Sequence, residues 1–279
     1  MRLILKPGGI IVIVLFFLVL TGIITKSVSQ SKEQAAVSAP PAAATPAASA
    51  STIAAAPSAT VASLYAGTKP DPAEMPVVVE GKLINGTTRA DGKQGAQLTF
   101  SRAAQQYVQI ADPLVDTTKS FSVSAWVKLV DTDGFQTFVS QDGSVISGFY
   151  FQKRNDSGQL SFSVNSDDST SAANPGQTSL TGYRAQSGFR AEAGKWYHMV
   201  GCYDAKAQTT RLYVDGKLTE TTQLPPSVHL WTAHGNTILG AALWDRNRVD
   251  YTNGIVENVK IYPRVVTQAD VDRLYKEKP

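Results

Sequence analysis

From Phe121 to Leu129 the chain reads FSVSAWVKL, and Phe121, Val123, Ala125, Val127 and Leu129 occupy every second position. A period of two marks a strand with one apolar face, because successive side chains of an extended chain point to opposite sides. The same pattern recurs in YVQI, GFYFQK, QLSFSV, WYHMVGCY, TRLYV, NTILGA and GIVENVKIY. Turn signals separate these runs: Asp133-Gly134, Asp142-Gly143, Ser157-Gly158, Asn174-Pro175-Gly176, Asp215-Gly216 and Asn253-Gly254. Many short strands without helices between them restrict the folded part to an antiparallel sandwich or barrel. The last element alone reads as a helix. In TQADVDRLY, Thr267 is an N-cap and Asp270 its capping-box partner, and Val271 and Leu274 share one side that can close over a sheet.

The beginning of the chain has a different composition. Arg2 and Lys6 precede an uncharged apolar run from Pro7 to Thr25, and Lys26 ends it. That length falls in the range of a membrane-spanning helix, roughly 17–25 residues. Ile, Val, Leu and Phe cover every helical face of the run, so it reads as a signal anchor or transmembrane helix within residues 1–30, and the basic residues favour a cytoplasmic N-terminus. Ser27-Val28-Ser29 leaves cleavage as the alternative, which would make the protein secreted. Residues 31–68 are rich in Ala, Ser, Thr and Pro and poor in large apolar side chains. Such a stretch cannot offset its conformational entropy, and it reads as a disordered linker spanning roughly 30–40 Å. The folded domain is then expected over 69–279, on the extracytoplasmic side.

Net charge is +3, and its excess lies in the N-terminal segments, since charges from Pro70 onward are nearly balanced. No basic face argues for nucleic acid. The single cysteine, Cys202, excludes an intrachain disulfide and a cysteine-based zinc site, and its place mid-strand reads as a buried inert thiol.

The run from Gly194 to Leu218, GKWYHMVGCYDAKAQTTRLYVDGKL, contains two strands around a polar turn. Trp196, His198, Val200 and Cys202 alternate on one face; Tyr197, Met199 and Tyr203 lie on the other. It resembles the segment of laminin-G-like, concanavalin A-like jelly-roll domains in which a Gly-Lys-Trp strand precedes a strand ending in Leu-Tyr-Val-Asp-Gly. Gly95 to Ile110 together with FSVSAWVKL resembles that family's early strands, and Asn253 to Tyr275 its last strand and closing helix. The resemblance implies an all-β fold of two antiparallel sheets, a jelly-roll β-sandwich with a short C-terminal helix. It also implies a module that binds carbohydrate or protein, in some members with Ca²⁺. Glu257 and Asn258 stand where the family usually has Asp-Glu. Trp126, Trp196 and His198 read as framework.

Some enzymes share this fold, and glycoside hydrolysis needs two carboxylates across the scissile bond. No closely spaced Glu/Asp series on one strand appears, and Glu192, Glu220 and Glu257 stand alone. Nor is there a Gly-x-Ser-x-Gly elbow, a His-Glu-x-x-His run or a phosphate loop. The expectation is therefore a binding module and not an enzyme. Binding in a sandwich lies in the loops at its ends. The leading segment, Ala242 to Asn253, combines Trp244 and Tyr251 with Asp245, Arg246 and Asn247: aromatic faces for sugar rings, polar groups for hydroxyls. Trp231 and His234 form a second candidate. Asp167 and Asp168 are weak candidates for Ca²⁺. The expected partner is a glycan or a cell-envelope protein, with a protein-docking domain and a glycoside hydrolase as alternatives.

Overall fold

The computed structural model describes residues 60–61, 81–91, 96–170 and 182–279. The apolar run at 7–25, nearly all of the segment read as linker and the Asn174-Pro175-Gly176 turn lie outside them. Residues Ala56–Pro279 form one compact unit. Among the described residues no helix is long and apolar enough to cross a membrane.

The described part is the expected two-sheet antiparallel sandwich. The strands are β1 (Thr60–Val61), β2 (Gly81–Ile84), β3 (Thr88–Asp91), β4 (Ala96–Phe100), β5 (Tyr107–Ile110), β6 (Phe121–Leu129), β7 (Gln136–Asp142), β8 (Ser147–Lys153), β9 (Gln159–Val164), β10 (Tyr183–Arg190), β11 (Trp196–Asp204), β12 (Thr209–Val214), β13 (Lys217–Gln223), β14 (Thr237–Leu239), β15 (Ala242–Trp244), β16 (Asn247–Val249) and β17 (Gly254–Tyr262), with helix α1 at Gln268–Lys276. The larger sheet runs β1-β2-β5-β14-β7-β8-β9-β10 and the smaller β13-β12-β11-β6-β17-β4-β3, while β15 and β16 pair as a separate hairpin. Strand β1 pairs with Gly81 and Lys82, so the larger sheet begins inside the segment whose composition reads as linker.

The period-two residues build the core. Phe121, Val123, Ala125, Val127 and Leu129 of β6 all enter it, opposite Phe149, Phe151, Leu160, Phe162 and Val164 of the larger sheet. The rings of Phe121, Phe149 and Phe162 meet at centroid distances of 5.1 and 5.8 Å. Strand β11 turns Tyr197, Met199 and Tyr203 inward. Its other face, with Val200 and Cys202, packs under α1 together with Val271 and Leu274. Burial pushes the Cys202 thiol up to about 11, consistent with an inert side chain. Trp126 also lies on this outer face, stacked on Tyr275 of α1 at 5.7 Å. The helix starts as read: Thr267 accepts from the Asp270 N–H, and the Asp270 side chain returns the bond to the Thr267 N–H.

A candidate ligand-binding site at one rim

Segments distant in sequence meet around the turn from Gly143 to Ile146, which joins β7 to β8. Asp168 clamps this turn: its carboxylate accepts the N–H groups of Ser144 at 2.7 Å and of Val145 and Ile146 at 2.9 Å each. Trp231 lies against Gly143. A Cβ there would come 2.1 Å from the indole ring, so glycine is what lets the ring sit on the turn. The loop carrying Trp231 is held from below. Thr117 donates to the Trp231 carbonyl at 2.6 Å and accepts from the Ala233 N–H at 3.0 Å. Gln141 donates to the Ala233 carbonyl at 2.8 Å, and the Gly235 N–H donates to the Asp142 carbonyl at 2.8 Å.

These loops enclose a pocket of about 550 Å³ lined by Gly143, Ser144, Asp168, Trp231, Thr232, His234 and Gly235. The volume falls within the range of small-ligand sites, roughly 300–1,000 Å³. The Trp231 ring lines the pocket, while its indole N–H is buried without an acceptor. Ser144, Thr232 and His234 add polar groups around the aromatic surface.

The β15–β16 hairpin reaches the same turn. Asp245 and Arg246 both have positive φ, 49° and 62°. That backbone matches the right-handed twist of a two-residue hairpin without the usual glycine. The Arg246 N–H donates to the Val145 carbonyl at 2.9 Å, tying the hairpin tip to the pocket turn. Asp245, Arg246 and Asn247 are exposed, and Trp244, opposite Asn247 in register, is half-buried. Arg248 is committed elsewhere: its guanidinium forks onto the buried Asp142 carboxylate and lies over the Tyr107 ring. Tyr251 packs with Tyr107 at a ring-centroid distance of 6.3 Å.

The structure therefore brings Trp231, Asp168 and the Asp245-Arg246 tip to one turn, and sets Tyr251 with Tyr107 and Arg248. Asp167 is exposed. The Asp168 oxygens are taken up by three N–H donors, a set that does not fit a calcium ligand and makes this carboxylate a clamp of the turn. Among the described residues no group of three or more His, Cys, Asp or Glu side chains is arranged to hold a metal ion. Sequence reading missed Gly143, Ser144 and Thr232. Asp142-Gly143 signalled a turn, but nothing local shows which loops will lie on it.

His198 is framework. Burial, and then the Lys260 charge, push its pKa down to about 3, while its Nε2 sits 3.1 Å from the Ser124 hydroxyl. Asp131, which opens a calcium-like DTDG run, accepts both Arg102 Nη2 and Asn253 Nδ2. The Lys153 ammonium is held by the Thr132 and Gly134 carbonyls of that same loop. Protein cations thus already serve the loop.

The profile of the concanavalin A-like lectin/glucanases superfamily, in its laminin-G form, matches residues 102–272. No curated protein matches the chain. Among solved structures, the chain is similar to domain 4 of a GH43 extracellular arabinanase from Geobacillus stearothermophilus, determined in complex with arabinotriose. The two are 19% identical over 68% of this chain and 81% of that one, with a TM-score of 0.50. It is also similar to the binding domain of Paraclostridial Mosquitocidal Protein 1. There the identity is 12%, the coverage 76% of this chain and 51% of that one, and the TM-score 0.53. Likeness at these identities is one of fold.

Proposed function

Because the chain belongs to the concanavalin A-like lectin/glucanases superfamily, we propose that its sandwich is a non-catalytic carbohydrate-binding module. One observation carries this reading: the rim pocket, where an indole ring stands beside Ser144, Thr232 and His234. A sugar ring presents C–H faces to an aromatic surface and hydroxyls to polar groups, and this pocket offers both. The arabinotriose bound to the arabinanase domain is in keeping with such a role for the fold. Binding without catalysis fits the lining, whose single carboxylate, Asp168, is already engaged by backbone donors; glycoside hydrolysis uses two.

In this reading the sandwich preorganises the rim so that little entropy is lost on binding. The apolar run at 7–25 anchors the chain in a membrane, and the Ala/Pro/Ser-rich segment holds the domain outside it. Tethering then raises the effective concentration of the module at an envelope surface. The test is a glycan array probed with the full chain and with Trp231→Ala. A defined set of glycans bound by the former, and bound at least tenfold more weakly by the latter, is the expected result. Equal binding by both proteins would remove the rim pocket from the function.

A further inference from the structure

The rim pocket offers one large aromatic surface. Trp231 supplies the single indole of the lining, and the turn at Gly143 already takes part of that ring, where a Cβ would lie 2.1 Å away. Each sugar of a bound chain needs an apolar surface of its own to stack on. Next to the pocket turn stands the hairpin tip, joined to it through the Arg246 N–H and the Val145 carbonyl. The tip brings the exposed polar side chains of Asp245, Arg246 and Asn247 and no ring, and the half-buried Trp244 is not in the lining. Exposed side chains lose rotamer freedom when a ligand orders them, so sugars lying over the tip add little affinity.

The wall that carries Trp231 is set before any ligand arrives. Gln141 is fully buried and uses its whole amide. Its Oε1 accepts the Leu114 and Val115 N–H groups at 3.0 and 3.1 Å, and its Nε2 donates to the Val115 and Ala233 carbonyls at 2.8 Å each. Thr117, 2% exposed, joins the same two segments through the Trp231 carbonyl and the Ala233 N–H. A small ligand therefore meets a surface that it does not have to order, and one sugar ring can bind without help from its neighbours in a chain.

The charges favour an uncharged ring. Asp168 lines the pocket, and its three donors are neutral backbone groups that leave its net charge in place. Among the described residues that line the pocket there is no lysine or arginine, and at the tip Asp245 adjoins Arg246. An acidic sugar would bring a second carboxylate towards the first with no cation between them, and like charges at close range repel. Ser144, Thr232 and His234 can each donate or accept. That set suits hydroxyls, which do both, better than a carboxylate, which only accepts.

We propose that the rim pocket recognises a single uncharged sugar, the terminal residue of a glycan, and takes neither the interior of a chain nor an acidic sugar. This rests on the carbohydrate reading above and narrows it. The indole takes one face of the sugar, and Ser144, Thr232 and His234 take its hydroxyls.

The experiment is a ligand-observed NMR titration of the full chain with the methyl glycosides of glucose, galactose, mannose, xylose, arabinose and N-acetylglucosamine. Each is compared with its own trisaccharide, and all with the methyl glycosides of glucuronic and galacturonic acid. At least one neutral glycoside should bind, with its trisaccharide no more than threefold tighter and both uronides at least tenfold weaker. Trp231→Ala should weaken the bound glycoside at least tenfold. Thr232→Val, which keeps the side-chain shape and removes one hydroxyl, should weaken it at least threefold with an unchanged melting temperature. A trisaccharide more than threefold tighter than its monosaccharide, a uronide within tenfold of the best neutral glycoside, or unchanged affinity of the Thr232 variant would each overturn the proposal. Glycans bound on an array by a chain that binds none of the monosaccharides would also overturn it and leave the carbohydrate reading standing. A folded chain that binds no saccharide in either experiment would refute both.

Discussion

His198 illustrates how position overrides residue type. It sits between Trp126 and Tyr275, at 5.1 and 5.9 Å, and burial holds it neutral down to about pH 3. An unfolded histidine takes up its proton near pH 6.5. The contribution of His198 to stability is therefore complete above pH 6.5 and is lost as pH falls from there towards 3. We expect up to about 1 kcal/mol per pH unit over that window. Urea unfolding at pH 7 and pH 5 should show the drop, and His198→Phe, which keeps the ring packing, should flatten it. A second residue-scale prediction concerns Gly143. Because a Cβ there would collide with Trp231, Gly143→Ala should displace the indole and weaken glycan binding at least tenfold while the sandwich stays folded. Normal far-ultraviolet circular dichroism with lost array signal is the expected combination.

At the scale of elements, two contacts hold the layers together. Gly201 of β11 faces Phe162 of β9 across the core, and a Cβ on Gly201 would lie 2.4 Å from that ring. Gly201→Ala should push the sheets apart locally and cost about 1–3 kcal/mol, read as a lowered melting temperature. Helix α1 depends on Asp270. Burial alone would raise its carboxyl, but hydrogen bonds from Arg264, Thr267 and Arg273 outweigh it and hold the group below the usual carboxylate range. That contribution is present above the unfolded value, near pH 3.9, and is lost as pH falls further. Asp270→Ala removes the side-chain half of the capping box and these pairs. It should cost about 1–2 kcal/mol and loosen Tyr275 from Trp126, visible as a change in tryptophan emission.

For the whole molecule, the sandwich is a support whose rim carries the candidate site, and the expectation of an N-terminal anchor is open to a direct test. If residues 1–30 are an uncleaved anchor, the full chain should sediment with membranes and resist extraction by high salt. A chain starting at residue 31 should remain in the supernatant. Recovery of full-length protein in the soluble fraction, shortened at its N-terminus, would instead establish cleavage after the apolar run.

The alternation of FSVSAWVKL, the turn pairs and the Thr267–Asp270 cap determine by themselves that this chain makes strands, tight hairpins and one closing helix. Each depends on residues within a few positions of one another. Asp215-Gly216 adopts the positive φ values, 51° and 80°, that its residue types favour. Local pattern also separated Tyr197 and Met199 from His198 and Cys202. It did not tell which face meets the other sheet and which lies under α1, because both faces of β11 are apolar. The sites were legible only in fragments. Trp231, Asp168 and Asp245-Arg246 drew attention as three separate loops, but pairing of β7 with β8 and β14 places them on one turn. Strand formation is written in neighbours along the chain, whereas a binding surface is written in neighbours across strands, and only the folded sheet supplies those.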